Sequence, residues 1–137
     1  MRDRKDRGKS MNRETEKEII KRFVKKNKQE RLLWELSNPK RRMEALRWGF
    51  HKTSIFKESC LQPVKYMDKD VMEKFLLENS DCNEVYFIGE GFGGILSCDE
   101  AAERAFDGDI CVIYCENGTG YYQGEQESRT QFRFLLK

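Results

Sequence analysis

The sequence predicts an α+β domain: N-terminal helices packed on a small, mostly antiparallel C-terminal sheet with one inserted helix. Three observations predict it. Apolar residues recur at helical spacing up to about residue 80. From about residue 84 they follow the period of strands. Asn117-Gly118 is a strong hairpin signal, because a type I′ turn needs positive φ at both positions. The chain has 137 residues, enough for one domain. Charged residues make up 36%, yet 9 Phe, 5 Tyr and 2 Trp argue against a disordered chain.

Residues 1–12, MRDRKDRGKSMN, lack periodicity and read as a disordered basic arm. Residues 13–137 then form one domain, helical over 13–80 and sheet over 84–137. Between Glu14 and Leu36, Ile19, Ile20, Phe23 and Val24 fall at one-turn spacing, and Leu32, Leu33 and Leu36 repeat it. The apolar gap at Lys25–Arg31 marks either a kink or a boundary between two helices. Pro39 disfavours helix at the residue before it, so the first helical segment stops by Ser37. Asn38 is a suitable N-cap, and Pro39 suits the first helical position of a segment running to about Trp48. Gly49 ends that segment. Residues 51–66 are ambiguous, with Ile55, Phe56, Leu61 and Val64 as anchors and Pro63 as a breaker. Lys69–Glu78 reads as a further helix, with Val71, Met72, Phe75, Leu76 and Leu77 supplying its buried face.

Val85–Ile88, Ile110–Cys115, Tyr121–Glu125 and Phe132–Leu136 read as strands. Ser97-Cys98-Asp99-Glu100 is a capping box that opens the inserted helix, and Asp107-Gly108-Asp109 stops it. A two-residue turn at Asn117-Gly118 would place Tyr114 opposite Tyr121 and Ile113 opposite Tyr122. Ile110–Cys115 is apolar on both sides, so it should lie centrally. In the last strand Phe132, Phe134 and Leu136 point one way, Arg133 and Leu135 the other.

The formal net charge of +2 hides a split. Residues 1–60 carry 19 Lys/Arg and 9 Asp/Glu; residues 61–137 carry 7 and 15. A basic half joined to an acidic half points to a partner rather than to a fold, unless the halves neutralise one another. Lys40, Arg41, Arg42 and Arg47, interleaved with Trp48, are the candidate contacts to nucleic acid or an acidic protein, since arginine pairs with phosphate and an aromatic ring stacks on bases.

Gly89, Gly91 and Gly94 match G-x-G-x-x-G, with Gly93 beside them. Dinucleotide binding is disfavoured. The capping box starts the helix near Cys98, several residues beyond the glycines, whereas pyrophosphate binds at the helix N-terminus itself. A Gly-rich turn or hairpin loop is expected instead, open to close approach by a partner or ligand, with Ile95-Leu96 after it as a short strand or a loop anchor. Tyr121 and Tyr122 point to opposite faces of their strand, so at least one is expected to be exposed, with Tyr121 as a further candidate contact. The five cysteines form no C-x-x-C pair. Cys111 and Cys115 share a strand face too far apart for one metal, so neither metal nor other cofactor is expected. Cys98 at a helix start is a weak candidate for a reactive thiol. His51, the single histidine, suits the C-terminal end of a helix better than a catalytic role.

No catalytic constellation stands out. The expectation is a small non-enzymatic interaction or regulatory protein, of inhibitor or immunity type, binding a macromolecular partner through charge-segregated surfaces. Bacterial and mobile-element proteins of that kind have this size and makeup. The alternative is a nucleic-acid-binding protein using the basic helices. A protein partner, no membrane association and a cytoplasmic location complete the expectation, since no apolar run approaches the roughly 20 residues of a membrane span.

Overall fold

Two short helices open the fold, α1 (Arg13–Phe23) and α2 (Lys26–Ser37), each burying one apolar stripe. The computed structural model describes residues 12–50, 53–64, 67–89, 92–108, 110–127 and 130–137. The arm lies outside these except for Asn12, whose side chain accepts from the Thr15 amide and caps α1. Glu14 and Glu16 in the first turn, and Lys21 and Arg22 in the last, complement the helix dipole. The gap after Val24 is a boundary between helices. Lys25 N–H donates to the Ile55 carbonyl and Lys57 N–H to Phe23, so Val24 pairs with Phe56 as an isolated bridge. The Gln29 amide covers the freed Val24 carbonyl at 2.9 Å.

Asn38 does not cap a helix as expected: its Oδ1 accepts from Lys40 N–H in a turn over residues 38–41, and the helix that follows starts after Arg41 with no side-chain cap. Only Arg42–Glu44 (α3) is α-helical, and Ala45–Gly49 widens into a π-turn closed by Phe50 N–H to the Ala45 carbonyl. The two remaining helices, α4 (Lys69–Glu78) and α5 (Cys98–Phe106), match the expected spans, but the buried face of α4 is narrower than expected: Met72 and Leu76 are buried, while Val71 and Leu77 lie on its flanks in solvent. Ser97 accepts from the Glu100 amide, but the Glu100 carboxylate returns to the Ser97 hydroxyl and not to its backbone, so the box is half made.

The strands are β1 (Leu61–Pro63), β2 (Glu84–Gly89), β3 (Phe92–Ser97), β4 (Cys111–Tyr114), β5 (Gly120–Glu127) and β6 (Thr130–Leu136). They form one antiparallel sheet in the order β1-β6-β5-β4-β2-β3, with α5 crossing from β3 to β4. As expected, β4 is interior. β1 departs from expectation, and β3 takes the strand reading of Ile95-Leu96 but extends it back to Phe92. Pro63 does not exclude a strand because β1 is an edge, where a missing N–H leaves no gap in the sheet. Gly93 and Gly94 lie within β3 and not in a loop.

Strand alternation divides the core in two. Tyr86, Ile88, Val112, Tyr114 and Tyr122 face α1, α2 and the π-turn. Val85, Phe87, Cys111, Ile113, Cys115 and Tyr121 face α4 and α5. The helices therefore cover both faces, and α4 joins the inserted helix instead of the N-terminal layer. The β4–β5 hairpin is one residue out from the expected register: Ile113 pairs with Tyr121 and Tyr114 with Gly120. Cys115 and Thr119 close a three-residue loop in which only Gly118, at φ +92°, is left-handed. That is a turn followed by a glycine bulge, not a two-residue type I′ turn.

Burial pushes the phenols of Tyr86, Tyr121 and Tyr122 up, and it raises the thiols of Cys98 and Cys115, the latter to about 12. Each group keeps a proton when folded that it releases more readily when unfolded. Their stabilisation is complete below the unfolded values, about 8.5 for thiols and 10 for phenols, and falls as pH rises past them. Urea melts between pH 8 and 11 should show a midpoint that declines from about pH 9 upward. An unchanged midpoint at the alkaline end would contradict this burial.

Candidate interaction surfaces

The N-terminal layer is fastened by a buried ion pair. Arg42 donates through Nη1 and Nη2 to the two Glu16 oxygens at 2.8 and 2.5 Å, and through Nη1 to the Leu36 carbonyl at 3.0 Å. Tyr86 donates its hydroxyl to Glu16 at 2.7 Å and accepts from Asn12 N–H at 2.8 Å. Burial works against the Arg42 charge, but the hydrogen bond and attraction of Glu16 outweigh it, and its pKa is held above the usual value. The guanidinium needs Gly93 beside it, because a Cβ there would stand 2.1 Å from Nη2.

Around this fastening the two helical layers carry opposite charge. From Asn12 to Glu58, ten exposed Lys and Arg stand against four exposed Asp and Glu among the described residues. From Met67 to Gly108, seven exposed Asp and Glu stand against two exposed Lys. Because the layers cover opposite faces of the sheet, the charges lie on opposite sides of the molecule. The acidic pole is borne by α4, α5 and the turns between elements, while most of the sheet is interior.

The expected contact residues divide. Lys40, Arg41 and Arg47 are exposed, although Arg41 leans on Glu44 at 2.7 Å. Arg42 is unsuited to contact a partner: its side chain is only 12% exposed and its guanidinium is engaged by Glu16. The side chain of Trp48, and all of His51, lie outside the described residues. The expected glycine loop is likewise reduced. Gly89, Gly93 and Gly94 are buried in the β2–β3 hairpin, and Gly91 lies outside the described residues. Gly93 makes room for arginine, not for a ligand. Tyr121 is fully buried, bonding to Gln123 and Arg133 beneath α5, because both sheet faces are covered. Cys98 is also buried, 3.4 Å from Ser80 Oγ, and burial first of all raises its pKa, the opposite of activation.

Sequence reasoning missed Trp34. This ring stands beside a groove of about 330 Å³ between α1 and α2, walled by Arg13, Glu14, Glu16 and Lys17 on one side and Leu33 and Leu36 on the other. Its position out of step with Leu32 and Leu36 on α2 was the available signal. A second hollow of about 390 Å³ lies where α1 meets the sheet end, between Thr15, Glu18, Tyr86, Tyr114 and Glu116. There Tyr114 donates to Glu18, and burial together with that bond raises its phenol to about 12, leaving a neutral donor. Among the described residues no three His, Cys, Asp or Glu are grouped to hold a metal, and no helix is long and apolar enough to cross a membrane. Comparison with known protein families, curated proteins and solved structures gives no match.

The Gly93–Arg42 contact makes a prediction of sign. Gly93→Ala should destabilise the chain by about 1–3 kcal/mol, as overpacking does, by crowding the Arg42 guanidinium where it pairs with Glu16. In an Arg42→Ala background the same change should be neutral or stabilising, since alanine in a strand is worth roughly 0.5–1 kcal/mol over glycine. Denaturant melts of the four variants measure this. Equal effects in both backgrounds would show that the two residues do not compete for one space.

Proposed function

We propose that this chain is a small, non-enzymatic interaction protein that docks a protein partner of acidic surface on its basic helical face. The observation that carries the reading is the placement of opposite charges on opposite sides of one sheet. Such a field steers complementary partners to one side and repels them from the other. Ten exposed cations on the α1–α2–α3 side supply the attraction, and the exposed Trp34 supplies an aromatic anchor of the kind that dominates binding energy. A role as inhibitor or immunity-type regulator in the cytoplasm belongs to the same proposal.

Nucleic acid is the second reading, supported by the exposure of Lys40, Arg41 and Arg47 near the basic helices. Two measurements separate them. Titration with single-stranded and duplex probes at about 50 and 200 mM salt should show little affinity if the partner is protein; binding that falls steeply with salt would favour nucleic acid. Copurification should yield a specific protein whose capture is lost when Lys17, Lys21 and Lys28 are changed to Glu. Changing Asp99, Glu100 and Glu103 to Lys should leave that capture intact. Equal loss from both triple variants would remove the basic face from the account.

A further inference from the structure

Four large apolar side chains stand exposed among the described residues, and they divide between the charged layers. Trp34, 53% exposed, and Met43 belong to the basic one. Val71 and Leu77, 42% and 45% exposed, belong to α4 of the acidic one. Each side of the molecule thus combines apolar anchors with one sign of charge. On the basic side the groove beside Trp34 has Arg13 and Lys17 on its other wall, together with Glu14 and with Glu16, whose charge is met by Arg42. On the acidic side Leu77 shares the outer surface of α4 with Asp70, and Glu73, Glu78 and the α5 residues Asp99, Glu100 and Glu103 surround it. Lys69 there is paired with Glu103 at 3.9 Å, and Lys74 is outnumbered.

We propose that the occupant of the basic groove is the acidic layer of a second copy of this chain, with Leu77 of α4 seated on Trp34 and the α4 carboxylates facing Arg13 and Lys17. The inference rests on the reading of the basic face as a docking surface and names its partner. Charge orients the two copies, and burial of Leu77, Val71 and the indole supplies affinity. Because the two surfaces lie on opposite faces of the sheet, the contact is heterologous. Each copy offers one surface of each kind, so association passes the dimer and ends in a ring or continues as a stack.

Sedimentation of the full chain tests this at low salt, where the Debye length is about 30 Å, and at about 1 M, where it is about 3 Å. The average mass should rise above 16.3 kDa with concentration at low salt, and higher concentrations should be needed for the same rise at high salt, where the orienting charges are screened and apolar burial remains. Trp34→Ala and Leu77→Ala, both at exposed positions and checked for folding by thermal melts, should each weaken self-association by about tenfold or more. Mixed in equal amounts, these variants keep one intact surface of each kind and should form a one-to-one dimer that grows no further. A wild-type chain that stays monomeric at low salt overturns the proposal. So do variants that associate like the wild type, or a mixture that stays monomeric. A monomeric chain that still captures an acidic protein through Lys17, Lys21 and Lys28 would sink self-docking alone and leave the broader reading standing.

Discussion

The Glu16–Arg42 ion pair is the constraint around which the N-terminal layer is arranged. A carboxylate and a guanidinium taken out of water are tolerated only when their lone pairs and N–H groups find partners. Here those partners come from separate parts of the chain: Glu16 from α1, Leu36 from the end of α2, Arg42 from α3 and Tyr86 from β2. Gly93 of β3 supplies the space. Such a pair adds little net stability over an apolar replacement of the same shape, but half of it cannot be removed cheaply; loss of one partner costs about 3–5 kcal/mol. It therefore selects one arrangement of helices on the sheet more than it strengthens the fold.

That arrangement decides which charges remain for a partner. Of the basic residues clustered at 40–47, Arg42 is turned inward, and Lys40, Arg41 and Arg47 stay in solvent. With α1 and α2 held on one sheet face and α4 and α5 on the other, the charge split along the sequence becomes a split across the molecule. The apolar side chains left over are few, and they fall on both sides. Trp34 and Leu77 are the features that a charge count alone would never single out.

The fold was legible where local chemistry decides it. The α4 and α5 spans, the Ser97 cap and the interior position of β4 all follow from residues close in sequence. Features set by distant residues were not legible. Val24 leaves its helix to pair with Phe56, across more than thirty residues. The start of β3 looked like a glycine loop because Gly93 makes room for a side chain from α3, which no local pattern records. The hairpin register slipped by one because Gly118 alone takes positive φ, so the turn takes three residues where Asn117-Gly118 suggested two. The same limit applied to the surfaces: exposure of Tyr121 and availability of Arg42 depended on what covers them, and the covering elements come from elsewhere in the chain.

Native-state hydrogen exchange on an Arg42→Met variant tests the central claim most directly. If the ion pair fastens the N-terminal layer, amides of α1, α2 and the β2–β3 hairpin should lose protection together, while α4 and α5 keep theirs. Protection lost evenly over the whole chain, or unchanged in α1 and α2, would contradict that role.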